Sequence, residues 1–349
     1  SVSLLKGEEM AQNIYGLDIG TSNFKMCCDD TILNERNIIA LRNKEIIAFG
    51  DEAYEMYEKS PVNINVSFPV KFGVIADIQN MQTLIYKFYE KISETKKASG
   101  AADFYIAIPT DVTEVEKRAF YDLVLKSKIK TSNVYVVDKP VADAIGAGLD
   151  VTSSKGIMVV NIGAETTEIS VLSLGGIVIS RTIKIGGSKL DESIIAAVRK
   201  EYNLIIGKRT AEKLKIELGS AVCSNDSEEV FTDGYGRNVI SGLPVSVKVS
   251  SKVIQSAIAD PLHQIMDSVK VMLERTPPEL AADIVKDGIF LTGGTSNISH
   301  LEELFKTETG IEARLVENPQ ESIIRGLMEV VNNPAFNSLA YVPRDKVFD

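Results

Sequence analysis

The chain has 349 residues, 44% hydrophobic and 25% charged, with 38 Lys and Arg against 48 Asp and Glu for a formal net charge of −10. That length is too great for one compact core and suits two lobes, while the acidic balance argues against whole-molecule attraction to nucleic acid or anionic lipid. Three cysteines without a CxxC spacing give neither a disulfide framework nor a zinc motif and fit a reducing cytosol, and no apolar run approaches the roughly 18 residues of a spanning helix.

The opening SVSLLKGEEM has no signal-peptide pattern, and regular patterning begins abruptly at Asn13, so Met10 reads as a natural start. Strands are expected over Ile14–Asp18 and Phe24–Cys28, and the adjacent Cys27 and Cys28 then point to opposite faces. A helix follows in which Ile78, Met81, Leu84, Ile85, Phe88 and Ile92 fall on one face. Strands Phe104–Ile108 and Val134–Val137 flank a helix starting near Glu114, announced by the capping box of Thr113 and Glu116. The pattern starts afresh at Gly156 with strands Met158–Ile162 and Glu168–Leu174, a turn at Gly175-Gly176, and a third strand Ile177–Ile185. Next come a helix from Lys189 to Tyr202, with Leu190, Ile194, Ile195 and Val198 inward, and a long helix Lys252–Arg275 that Pro261 is expected to kink. Ser299 and Glu302 read as a second capping box. Asn318, Pro319 and Glu321 read as the cap, first-turn proline and third-position acid of the last helix. No low-complexity linker intervenes, so structured chain crossings must join the lobes.

An imperfect repeat carries the chemistry. GLDIGTSNF (Gly16–Phe24) and VNIGAETTEIS (Val160–Ser170) are each strand, tight glycine loop, strand. Two such grips facing each other would clamp one nucleotide. In the first, Gly20 lets the backbone approach a phosphate, successive N–H groups form an anion nest, and Thr21, Ser22 and Asn23 add donors. Asp18 at the strand end would hold Mg²⁺ through water. By itself the segment reads more readily as a polar hairpin turn. A third element, Gly288–Thr295, is an apolar strand ending in Gly293-Gly294, which would let a purine lie on backbone or would serve as a plain strand-to-helix turn. There is no GxxxxGK[ST], no GxGxxG after the first strand, no HExxH and no GxSxG. His263 and His300 fall in helical patterns away from any Ser/Asp motif and read as packing or surface residues.

The order of DIGT, the loop near Asn161 and GIFLTGG is that of the actin, heat-shock chaperone and sugar kinase superfamily. Within it, five stretches resemble the MreB family of bacterial actin homologues nearly word for word. They are PVKFGVIADIQNM (Pro69–Met81), IPTDVTEVEKRAF (Ile108–Phe120), KPVADAIGAGLD (Lys139–Asp150), IGKRTAEKLKIELGSA (Ile206–Ala221) and TPPELAADIVKDGIFLTGG (Thr276–Gly294). The resemblance runs from about Asn13 to Val331. It implies an α/β, actin-like ATPase fold of two lobes, each with a ribonuclease-H-like core, in four subdomains. The first large subdomain would take 12–31, 67–144 and 319–345, and the first small one 32–66. The second large subdomain would take 145–180 and 247–318, and the second small one 181–246.

It implies ATP or ADP with Mg²⁺ and polymerisation with itself into paired protofilaments governing cell shape, or motility in a wall-less cell. It also implies paralogous filament proteins and membrane-associated partners, no nucleic acid, and a cytoplasmic place at the inner face of the membrane. Asp18, Gly20, Thr21, Ser22 and Asn23 match the first phosphate loop. Asn161, Gly163, Ala164, Glu165, Thr166 and Thr167 match the second, with Thr166 beside the chemistry. Glu212 and Lys215 match the helix beside ribose and adenine, although Glu212 equally reads as a solvated helix charge. Gly293, Gly294 and Thr295 match the adenosine loop.

The departures from the family fall on the chemistry. Lys139-Pro140 stands where glutamate-proline places the attacking water, and a charged lysine accepts no proton. Asn161 replaces an aspartate, and Glu165 puts a carboxylate where phosphates are met, unless it turns outward to a cation such as Lys139. Thr295 replaces a common glycine and Lys208 a common acid. The expectation is retained nucleotide binding with slow residual ATP hydrolysis. The stretch Glu94–Asp103 lacks the bulky apolar pair that inserts into membrane in relatives. The alternative is a non-polymerising, nucleotide-dependent sensor or chaperone-like protein of the same fold. A sugar kinase is disfavoured because no catalytic base stands out.

Overall fold

The computed structural model describes residues 13–96, 100–223 and 228–343. The Met10 start, part of the stretch around residues 97–99 and the tail from 344 lie outside these residues. The chain builds two five-stranded sheets of one design. The first half runs β1 (Ile14–Ile19), β2 (Asn23–Cys28), β3 (Thr31–Arg36), β4 (Ile39–Arg42), β5 (Glu45–Phe49), α1 (Gly50–Met56), β6 (Ile64–Ser67), β7 (Val70–Lys71) and β8 (Val74–Ile75). It continues with α2 (Ile78–Lys96), β9 (Ala102–Ile108), α3 (Glu114–Leu125), β10 (Thr131–Asp138) and α4 (Lys139–Gly146). The second half runs β11 (Ile157–Ile162), β12 (Thr167–Ser173), β13 (Gly176–Ile183), α5 (Gly187–Tyr202), β14 (Leu204–Ile205), α6 (Lys208–Leu218), β15 (Phe231–Asn238) and β16 (Pro244–Ser250). It closes with α7 (Ser251–Arg275), α8 (Pro278–Asp287), β17 (Ile289–Thr292), α9 (Leu301–Thr309), β18 (Ala313–Leu315) and α10 (Ser322–Asn332).

The sheet orders are β10-β9-β1-β2-β3 and β18-β17-β11-β12-β13. In each, an antiparallel three-stranded meander is extended by two parallel strands. The sequence repeat is therefore a repeat of topology. Each sheet carries a smaller one beside it, β5-β4-β6 in the first half and β14-β15-β16 in the second.

Alternation along β2 places Cys28 in the layer with Phe24, Phe88 and Phe104, and Cys27 in the layer with Val141, Ile324 and Leu327 of α4 and α10. Those two helices touch backbone to backbone, because Gly146 and Gly326 leave no side chain between them. On α2, Met81, Leu84, Ile85, Phe88 and Ile92 are buried, whereas Ile78 in the first turn is exposed.

The Thr113 box forms as its spacing requires: the Thr113 hydroxyl accepts from Glu116 N at 3.2 Å and the Glu116 carboxylate accepts from Thr113 N at 2.7 Å. The second expected box does not form. Helix α9 starts at Leu301 after His300 in a left-handed conformation, and Glu302 accepts from Leu315 N at 2.8 Å, tying α9 to β18. The last helix starts at Ser322 and not at Pro319, because Asn318 to Glu321 close a turn first. Helix α7 runs through Pro261 as one element, capped by the Ser250 hydroxyl on Lys252 N.

Candidate functional site

The first glycine loop joins β1 to β2. Gly20 N donates to Asn23 O at 3.0 Å, and a side chain at Gly20 would stand 2.7 Å from that oxygen, so only glycine closes this turn. The donors expected around it are partly committed to structure. The Ser22 hydroxyl donates to Asn23 Oδ1 and accepts from Arg36 Nη1 at 2.8 Å, while Asn23 Nδ2 donates to Asn34 Oδ1 at 2.9 Å. Thr21 accepts from Gly73 N at 3.2 Å and keeps its own proton for a ligand.

The second loop, between β11 and β12, repeats the closure: Gly163 N donates to Thr166 O at 2.9 Å. Gly163 O receives Gly187 N and the Thr295 hydroxyl, and Ala164 O receives Ser188 N. Thr167 is buried, and its hydroxyl donates to Ile185 O at 2.7 Å. Thr166 faces the β7–β8 turn, 3.9 Å from where a side chain on Gly73 would lie. Glu165 does turn away from the loop, but not to Lys139. Its carboxylate accepts from Phe72 N at 2.5 Å. Phe72 and Gly73 are both left-handed, at φ 48° and 76°, so consecutive N–H groups of one turn reach one glycine loop each.

The third loop follows β17. Gly293 has φ 84°, and its N–H donates to Pro319 O at 2.7 Å. A side chain there would meet the backbone of Ile162 and stand 2.8 Å from Asn161 Oδ1. Gly294 opens a short 3-10 turn, and Thr295 binds Gly163 O at 2.8 Å, locking the third loop to the second. The three glycine elements thus converge.

Between them lies a charged floor. Asp18, at the end of β1, is paired by Lys25 at 3.2 Å on one oxygen and approached by Lys139 at 3.4 Å on the other. Burial alone would raise the Asp18 carboxyl, but the two ammonium groups hold it below its ordinary value. Lys25 was legible in principle, since it is the cross-strand partner of Asp18 in the hairpin. Lys139 is the first residue of α4, where the helix dipole disfavours a cation and Asp18 compensates.

Two acids that sequence reasoning missed complete the floor. Buried Asp143 on α4 accepts from Asn161 Nδ2 at 2.8 Å, from the Thr292 hydroxyl at 2.6 Å and from the Ser322 hydroxyl. Its signal was an acid inside the apolar run Val141–Ile145. Glu168 accepts from the Thr110 hydroxyl at 2.7 Å. Burial pushes both carboxyls up, outweighing those hydrogen bonds.

At the far end, α1 faces α6. Glu212 is no solvated charge: it accepts from Tyr54 Oη at 2.9 Å and from Arg36 Nη2 at 3.3 Å. Lys215 pairs with Asp191 at 2.8 Å and donates to Gly187 O. Arg209 binds Glu55 at 3.1 Å, and Glu58 accepts from Lys208 N at 3.2 Å. The guanidinium groups of Arg36 and Arg209 both lie against the Tyr54 ring. These contacts clasp the two small sheets across the cleft mouth, and neither Arg36 nor Tyr54 was singled out by motif.

Comparison with known proteins gives this geometry a setting. The family model described as MreB/Mbl protein matches residues 12–338. The cell shape-determining protein MreB of Escherichia coli (strain K12) is 36% identical over 331 residues, covering 93% of this chain and 94% of that protein. The cell shape-determining protein Mbl of Bacillus subtilis (strain 168) is 36% identical over 322 residues, covering 91% and 95%. The crystal structure of MreB5 of Spiroplasma citri bound to ADP superposes with a TM-score of 0.85 at 30% identity, covering 93% of this chain and 99% of that one. Bound to AMPPNP, it gives 0.87 at 31% identity, covering 94% and 98%.

Proposed function

The chain belongs to the MreB/Mbl family, and on that premise we propose that it is an actin-like cytoskeletal subunit that binds ATP or ADP between its lobes and polymerises into protofilaments governing cell shape. The observation that carries the reading is the convergence of three glycine elements, with Thr295 locking the third to the second and the β7–β8 turn bridging the first two. Crystal structures of a relative with ADP and with AMPPNP support a nucleotide as the ligand. In this reading the first and second loops hold phosphates, Gly293 and Gly294 face the base, and Glu212 with Lys215 flanks the ribose.

We divide the chain into the four expected subdomains with three boundaries moved. The first small one begins after Arg36 and not at residue 32, because β3 pairs with β2. The second begins after Ile183, because β13 belongs to the large sheet, and ends at Ser250 with β16. Pairing of protofilaments, association with paralogues and a place at the inner membrane face belong to the same proposal. Among the described residues no helix is long and apolar enough to cross a membrane.

Hydrolysis in this reading is slow. The position expected to orient water holds an ammonium turned toward Asp18. Removing one such preorganised group commonly slows a reaction by about 100- to 1000-fold, about 2.7–4 kcal/mol of barrier. The Mg²⁺ expected at Asp18 meets a donor set that does not fit it. One carboxylate faces two ammonium groups, and Asn161 gives its amide to Asp143.

The test pairs calorimetric titration of ATP with sedimentation and electron microscopy of the full chain. Saturable binding and pelletable filaments are expected, since head-to-tail contacts do not close and so propagate. No binding at millimolar nucleotide would remove the ligand assignment, and a monomer across salt and nucleotide conditions would leave the sensor alternative.

A further inference from the structure

We propose that the Lys139 ammonium supplies the counter-charge for the bound polyphosphate, so that this chain binds nucleoside di- and triphosphates without a divalent cation. The inference rests on the nucleotide reading above and concerns how that site balances charge. Lys25 and Lys139 both address one carboxylate, so the three groups together carry one net positive charge. Their side chains are only 10% and 15% exposed, against 4% for Asp18, so water screens that excess poorly. Glu168 also lies within electrostatic reach of Lys139, but burial favours its protonated form, so the excess of positive charge beside the two glycine loops calls for an anion, and a polyphosphate is the anion of matching shape.

Lys139 is placed to meet one. At 3.4 Å from Asp18 Oδ1 it is farther than a directed N–H···O bond, and that oxygen, although buried, has no hydrogen bond of its own. The ammonium's three donors are therefore not committed to Asp18. The other acids around the cleft are engaged: Asp143 by Asn161, Thr292 and Ser322, Glu165 by Phe72 N, and Glu168 by Thr110. A hydrated divalent cation would find only Asp18 Oδ1 uncommitted and would face two like charges there. The helix dipole adds to this, because its positive N-terminal end starts at Lys139 itself. One monovalent group on the protein thus does what elsewhere is done by an ion drawn from solution.

The experiment titrates the full chain with ADP and with ATP by calorimetry, once in millimolar Mg²⁺ and once in excess EDTA, and repeats both with Lys139→Met, which keeps the aliphatic stem and removes the charge. In the unmodified chain, chelation should change Kd by less than about threefold. In Lys139→Met, affinity in EDTA should fall by about tenfold or more, with part of the loss recovered on adding Mg²⁺. A tenfold or greater weakening of the unmodified chain on chelation, on the order of 1.4 kcal/mol, overturns the proposal without touching the nucleotide reading. So does indifference of Lys139→Met to both the substitution and the chelator. Absence of binding in either buffer removes the nucleotide reading and this proposal with it. The chelation arm needs no variant, so it decides the matter even if Lys139→Met misfolds, which far-UV circular dichroism would reveal.

Discussion

Substituting Gly326→Ala tests how closely α10 packs on α4. In an isolated helix the change would gain about 1 kcal/mol. Here the new methyl would be driven into the carbonyl of Ala142 on α4, 2.5 Å from its carbon and 3.0 Å from its Cα. The obstacle is helix backbone, its carbonyl oxygen nearest of all, which has no rotamer to change, so α10 must move off α4 by about 1.5 Å to restore ordinary contact. That shift loosens Val141, Ile145, Ile324 and Leu327, which fill the same layer. It also pulls Ser322 from Asp143. Overpacking of this kind costs about 3 kcal/mol, which leaves a net loss of about 2 kcal/mol after the propensity gain. Urea unfolding followed by far-UV circular dichroism measures it, since the chain has no tryptophan to report by fluorescence. Gly310→Ala is the control. That glycine is left-handed, at φ 73°, but has nothing within 4 Å, so it should lose only the conformational term of about 1 kcal/mol. If Gly326→Ala is as stable as the parent, or no worse than Gly310→Ala, the rigid crossing is wrong.

Reversing the clasp charge with Arg209→Glu should speed release of bound nucleotide by about three- to tenfold in a chase experiment, through loss of Glu55 and repulsion against Glu58; an unchanged release rate would deny the clasp any role. Because burial raises the Glu168 carboxyl, the folded state binds its proton more tightly than the unfolded chain, so stability is lost as pH rises from the ordinary value near 4.5 toward the folded value. Glu168→Gln lacks this term, so its stability relative to the parent should be greater at about pH 7.5 than at about pH 4, below the ordinary value, in paired urea titrations, and an equal difference at both would refute the assignment. The combined change Lys139→Glu, Asn161→Asp, Glu165→Gly should raise phosphate release by more than the three single changes together, because groups acting on one transition state are not additive. A parent that already hydrolyses ATP as fast as a relative with the glutamate would refute the argument about Lys139.

What the sequence disclosed follows from the range of the forces involved. The two strand–loop–strand grips were legible because Gly20 and Gly163 each close a turn on the third residue after them, Asn23 and Thr166, a purely local requirement. The Thr113 box was legible for the same reason. The Ser299 box failed because Glu302 found a better donor thirteen residues away in β18. Asp143 was invisible as a site residue because two of its partners, Thr292 and Ser322, lie 149 and 179 residues along the chain. Glu212 read equally as a surface charge for the same reason, since Arg36 is 176 residues away. The Glu165 carboxylate, expected either to stand where the phosphates are met or to turn outward to a cation, took the backbone N–H of the left-handed Phe72, 93 residues away.

The two neighbouring thiols on β2 have a consequence of a chemical kind. Cys27 and Cys28 are one residue apart, both buried, yet they belong to different layers, one beneath α10 and one beneath α2 and α3. Burial pushes the Cys27 thiol up to about 12, so almost none of it is thiolate while its layer is shut, and an alkylating reagent waits for an opening. Movement of α10 opens the layer that holds the Cys27 side chain first, whereas melting of the first lobe opens both layers. One proteolytic peptide carries both sulfurs, so the ratio of singly to doubly alkylated forms separates hinge motion from unfolding within a single mass spectrum.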